Sequence, residues 1–127
     1  MVLEAIQTDK APAAIGPYSQ AIRARGFLFV SGQLPIDPRS GEMAGPDFAA
    51  QARQCLENLK QILLAAGCNL EQVVSVDVFI TEMSRFSEFN GVYETFFTGH
   101  KPARAVVEVS ALPRGAMVEV KCIAASD

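Results

Sequence analysis

Apolar side chains recur along this chain with two different periods. Phe48, Ala52, Cys55, Leu56, Leu59, Leu63 and Ala66 step by three and four, the spacing of one helix face turned to a core. Gly45-Pro46-Asp47 precedes the run and Gly67 follows it, as start and left-handed stop residues should. Phe86, Phe89, Tyr93, Phe96 and Phe97 repeat the spacing, with Ser84 as the expected N-cap and Gly99 and Pro102 marking the end. The other apolar runs are short and rich in β-branched residues. Leu3–Gln7 (an edge), Gln20–Ala24, Phe27–Gly32, Val73–Ile80, Ala105–Val109 and Met117–Ile123 read as strands. Arg25-Gly26 offers a tight turn, and Pro113-Arg114-Gly115 predicts a hairpin between the last two strands. Strands, helix, strand, helix and hairpin in that order make an α+β domain, with two helices on one face of a sheet.

Period-two alternation then sorts the strands by face. Val74, Val76, Val78 and Ile80 are expected under the helices, leaving Val73, Ser75, Asp77 and Phe79 on the other side. With them go Arg104, Val106, Glu108 and Ser110, and Met117, Glu119, Lys121 and Ile123. Two helices cover one face only, so this mixed face meets water or another subunit, and its apolar content favours a subunit.

Composition narrows the class. The 127 residues form one domain, residues 1–127, with half the residues hydrophobic and a fifth charged. Eleven basic against fourteen acidic side chains leave a net charge of −3, which argues against a nucleic-acid partner. Cys55, Cys68 and Cys122 are odd in number and without a close pair, so neither a disulfide framework nor a zinc ribbon is expected. Neither a secretory leader nor a membrane-spanning apolar run is recognisable. A reduced, soluble, cytoplasmic protein is expected. The single histidine, His100, reads as a solvated loop residue, and no phosphate-binding glycine motif is present.

A few residues stand out against this background. Arg104 opens an apolar strand after Pro102-Ala103. Its planar fork suits a carboxylate, the plainer alternative being an ion pair to Glu108 or Glu119. Glu119 lies inside the last strand, where burial would raise its pKa and fit it to acid–base work or water orientation, unless its face is simply exposed. Asn90 falls on the apolar stripe of the second helix and must either lock a loop or line a pocket. Tyr18 sits on the turn Ile15-Gly16-Pro17-Tyr18-Ser19-Gln20, and Ser31-Gly32 ends a strand with a hydroxyl and an unhindered N–H.

Taken together, Ala13 to Gln20, Val30-Ser31-Gly32-Gln33, Gln51-Ala52-Arg53-Gln54, Phe89-Asn90 with Tyr93, Phe96 and Phe97, Pro102-Ala103-Arg104 and Val118-Glu119-Val120 resemble the Rid family (RidA, YjgF-type) of imine and enamine deaminases. The resemblance runs over nearly the whole chain. It implies a chorismate-mutase-like α+β fold, with a mixed sheet of about six strands and two helices on one face. It also implies a homotrimer with clefts between subunits, and hydrolysis of 2-aminoacrylate, 2-iminobutanoate or 2-iminopropanoate to the 2-keto acid and ammonia without a cofactor. By that resemblance Arg104 and the Gly32 N–H hold the substrate carboxylate, Glu119 handles water, Tyr18, Ser31 and Val106 line the pocket, and Asn90 supports it. Many relatives carry a cysteine where this chain has Val106, which argues against thiol-based redox or chaperone-like roles rather than against deamination. Lys101 replaces an aromatic found in some relatives and would alter pocket polarity or ligand size. A regulatory trimer that binds 2-keto acids without turnover, and an endoribonuclease or translation inhibitor, are the competing functions.

Overall fold

Asp47 starts the longer helix, as its position before the apolar stripe predicts. Its carboxylate accepts the Ala50 N–H at 2.9 Å, satisfying one of the donors a helix N-terminus leaves free. In the computed structural model, which describes residues 2–126, this helix is α1 (Phe48–Ala65). It closes on Gly67 at φ 79°. The N–H groups of Cys68 and Gly67 reach back to the carbonyls of Leu63 and Leu64 at 2.8 and 3.0 Å, a Schellman closure that only a residue free of Cβ strain makes easily. The second helix, α2 (Phe86–Phe96), starts differently from the expectation. Ser84 lies in a single 3₁₀ turn, Met83–Arg85, and makes no cap bond. The Glu108 carboxylate, arriving from the sheet, accepts the Met83 N–H at 2.7 Å instead.

Six strands form one sheet: β1 (Glu4–Ile6), β2 (Ala21–Ala24), β3 (Phe27–Gln33), β4 (Val73–Ile80), β5 (Ala103–Glu108) and β6 (Val118–Ala125), in the order β1-β2-β3-β6-β4-β5. The expected hairpin between the last two strands does not form. β5 lies parallel to β4 at the sheet edge, while β6 runs antiparallel to both β3 and β4. α2 carries the chain back along the sheet, so β5 restarts at the same end as β4 and must run parallel to it. The turn at Pro113–Gly115 exists, with Arg114 at φ 60° and Gly115 at φ 70°. It belongs to a connection that crosses the end of β4 rather than one that reverses beside β5.

Two face assignments change with this topology. A register shift between Val73 and Ser75 reverses the alternation at the start of β4, so Val73 is buried and Val74 is exposed. Arg104, Val106 and Glu108 pair with Val76, Val78 and Ile80 and therefore lie on the helix side, not the open side. The core forms between that side and the helices, with Leu28, Val76, Val78, Ile80, Val118 and Val120 against Phe48, Leu56, Leu59, Leu63 and Phe89. The open side carries Phe27, Phe29, Phe79, Val107 and Ile123 among Asp77, Glu119 and Lys121, and Phe27, Phe29 and Val107 each keep more than two fifths of their surface exposed. Among the described residues no helix is long and apolar enough to cross a membrane.

Buried amides hold the loops to this frame. Asn58 donates to the carbonyls of Leu34 and Ile36 at 3.1 and 3.0 Å and accepts from Gln54. Gln51 donates to the Gly45 carbonyl and accepts the Met117 N–H. Replacing Asn58 by Ala leaves two carbonyls without their donor, and urea unfolding should show a loss of about 1–3 kcal/mol. Stability equal to the unsubstituted protein would mean the loop holds without that amide.

Candidate functional site

Arg104 owes its surroundings to the β4–α2–β5 crossover. The edge strand aims it to the helix side, where α2 presents Phe86 and Tyr93, two turns apart on one face. The guanidinium carbon lies 4.7 Å from the Tyr93 ring centroid and 5.7 Å from that of Phe86. Tyr93 is braced in turn by Phe97, stacked at 4.7 Å, and by Phe89 at 5.7 Å. Arg104 has no carboxylate partner among the described residues. No ion pair to Glu108 forms; its carboxylate accepts the Met83 N–H instead. Glu119 stands on the opposite face, beside Phe79.

Asn90, Tyr93, Glu94, Lys101, Pro102 and Arg104 line an open pocket of about 380 Å³. Two of its buried polar atoms, Asn90 Oδ1 and the Tyr93 hydroxyl, have no hydrogen-bond partner. Asn90 therefore lines a pocket and locks no loop. Burial pushes the Tyr93 hydroxyl up to about 12 against the opposing pull of Arg104, with Cys122 adding to the rise. It is thus a neutral donor at physiological pH. Lys101 directs its ammonium to the carbonyls of Phe97 and Thr98 at 2.7 and 3.4 Å, closing the C-terminus of α2 at the pocket rim.

A second group forms on the open face, where β3 shifts register between Val30 and Gln33. Ser31 and Gly32 occupy that irregularity, and the Glu119 carboxylate rests directly against Gly32, so that any Cβ at position 32 would collide with it. Burial raises the Glu119 pKa, and Lys121 works in the opposite direction. The Ser31 hydroxyl donates to the Ser19 carbonyl at 2.6 Å and its N–H to Gln20 at 2.9 Å, which fixes the turn bearing Tyr18. Tyr18, half exposed, shares a small cleft with Gly32 and Gln33.

One chain thus brings the predicted residues together as two sets, Arg104 with Asn90, and Glu119 with Gly32, Ser31 and Tyr18. They lie on opposite faces, with β4 between β5 and β6. Val106 belongs to neither pocket: it packs against the core beside Val78. His100 is not solvated as expected, since its Nε2 bonds the Val73 carbonyl at 2.6 Å. All three cysteines are buried. Burial drives the Cys122 thiol up to about 12 and Cys55 well above its ordinary value, so both stay protonated. Phe86 and Glu94 are the site neighbours the sequence reading missed. The i, i+7 spacing of Phe86 and Tyr93 was a usable signal, but the core stripe absorbed both rings.

The family model described as Endoribonuclease L-PSP matches residues 8–126. A RutC family protein of Pyrococcus horikoshii is 50% identical over 121 residues, 95% of this chain and 96% of that protein. The mouse protein named 2-iminobutanoate/2-iminopropanoate deaminase is 45% identical over 124 residues, covering 98% and 92%. A crystal structure from Yersinia pestis, described as YyfA, a protein of unknown function of the conserved Rid family, superposes with a TM-score of 0.96 at 46% identity, covering 98% and 99%.

The environment of Glu119 is open to direct titration. Its carboxyl carbon should titrate by NMR above the ordinary glutamate range, and Lys121→Ala should raise the midpoint further by removing the favourable cation. Because the folded pKa is the higher one, the penalty for ionising Glu119 is absent below its unfolded value and appears as pH rises through the window between the two. Glu119→Gln should therefore melt higher than the unsubstituted protein at pH 7, with the difference shrinking towards pH 4. A midpoint at or below the ordinary value would refute the burial argument.

Proposed function

Because this chain belongs to the Endoribonuclease L-PSP family, which takes in the Rid proteins its sequence resembles, we propose that it is an imine deaminase. It hydrolyses 2-aminoacrylate, 2-iminobutanoate and 2-iminopropanoate to 2-keto acids and ammonia, clearing reactive intermediates in the cytoplasm as a homotrimer. The observation that carries the reading is the unpaired Arg104 guanidinium in the Asn90–Tyr93 pocket. It can offer two parallel N–H donors to a planar carboxylate.

The two half-sites make a complete one when the Arg104 pocket of one copy meets the Gly32–Glu119 face of another. The exposed apolar residues of that face support such burial. In the assembled cleft Arg104 holds the substrate carboxylate, assisted by the Gly32 N–H. Tyr18 and Ser31 shape the opposite wall. 2-Aminoacrylate reacts as its imine tautomer, 2-iminopropanoate. Water adds to the C=N carbon while Glu119 takes one of its protons and passes it to the nitrogen. The hydroxyl proton of the resulting carbinolamine then moves through the same carboxylate to the amine, and the C–N bond breaks as the carbonyl forms, releasing ammonia. A carboxyl group whose pKa is raised by burial is better matched to carrying a proton in both directions near neutrality.

A coupled assay tests this. Threonine dehydratase generates the imine, semicarbazide competes for it, and 2-keto acid release is followed. The protein should accelerate release. Arg104→Ala should raise KM about 10- to 100-fold, the worth of one charged hydrogen-bonded contact, and Glu119→Gln should lower kcat by about 10²–10⁴. No acceleration by a folded assembly would overturn the deaminase reading. The family model's description favours RNA cleavage as a second reading. An RNase activity lost in Arg104→Ala, with no effect on imines, would establish that one instead.

A further inference from the structure

Arg23, Arg39 and Arg85 are each held by a carboxylate, Glu4, Asp37 and Glu88, at 2.9, 3.1 and 2.9 Å. Among the described residues Arg25, Arg53, Arg114 and Arg104 make no such ion pair, but of these only Arg104 lies over aromatic rings. Its guanidinium sits between the rings of Tyr93 and Phe86 at 4.7 and 5.7 Å. A ring attracts a cation through its π face and uses none of the N–H donors. A carboxylate in the same place would consume two of the five.

We propose that Phe86 and Tyr93 are positioning residues that take the place of a counter-ion for Arg104, fixing its plane while leaving its donor fork free for an anionic ligand. The inference rests on the deaminase reading for the identity of that ligand, a 2-imino or 2-oxo monocarboxylate, but not for the clamp itself. Three features of the fold maintain the arrangement. Glu108, the carboxylate on Arg104's own strand face, is occupied by the Met83 N–H at 2.7 Å. Tyr93 is immobilised in the ring ladder with Phe89 and Phe97. Its hydroxyl, unpartnered and buried, remains uncharged and so does not compete as an anion. Phe86, by contrast, is 37% exposed at the first turn of α2 and fills no core position. It can be changed without unfolding the protein.

The test uses the full chain, with 2-oxobutanoate as the probe, in the unsubstituted protein, Phe86→Leu and Phe86→Tyr. Phe86→Leu should weaken 2-oxobutanoate binding and raise KM about two- to fivefold, the size of an exposed cation–π contact, with kcat unchanged because Glu119 is untouched. Phe86→Tyr should restore both. The Arg104 Nε–H resonance supplies a readout independent of any ligand, shifted by the ring currents in the unsubstituted protein and Phe86→Tyr, and moved towards the free-arginine position in Phe86→Leu. Equal affinity and equal Nε–H shift in all three proteins would overturn the clamp. Absence of 2-oxobutanoate binding in the unsubstituted protein would instead count against the deaminase reading, and the Nε–H shifts would then decide the clamp alone.

Discussion

The antiparallel pairing of β6 with both β3 and β4 is the contact on which the rest of the molecule depends. It inserts the last strand into the middle of the sheet and so joins the two halves of the chain in one hydrogen-bonded surface. It places Val118, Val120 and Cys122 under the helices and Glu119 and Lys121 on the open side. It also displaces β5 to the edge, where an arginine can leave the sheet without burying its charge in the core. A charge at an internal strand would need a partner within the protein; at the edge it can wait for one from outside.

What the amino-acid pattern disclosed, and what it hid, follows from the range of the interactions involved. Both helices, the Gly45-Pro46-Asp47 start of the first, the Gly67 stop and the limits of β4 depend on neighbours a few residues away and are readable, whereas the Ser84 cap is not made. The hairpin was misread because strand partners are chosen over long separations: the Pro113–Gly115 turn is genuine, but α2 had already committed β5 to a parallel neighbour. The faces of Val73 and Val74 turned on one irregular residue, which shifts every assignment before it. Arg104 and Glu119 were visible as unusual residues for their strands. That they occupy opposite faces was not, since face is a property of pairing.

The two groups, around Arg104 and around Glu119, use opposite electrostatic devices. Around Arg104 the protein withholds anions, engaging Glu108 with a backbone N–H and keeping Tyr93 neutral. Around Glu119 it withholds water, so the carboxyl group is less willing to ionise, with Lys121 limiting the effect. Each device leaves an unmet demand within a single chain, for an anion in one place and for a proton or water in the other.

The contact between Gly32 and Glu119 bears on how this protein can change over generations. The carboxylate already fills the space a side chain at position 32 would need. Alanine there requires the end of the Glu119 side chain to move aside. A shorter acid at 119 would free the room but withdraw the oxygen atoms from where they now rest. A change at either position therefore alters where the carboxylate rests.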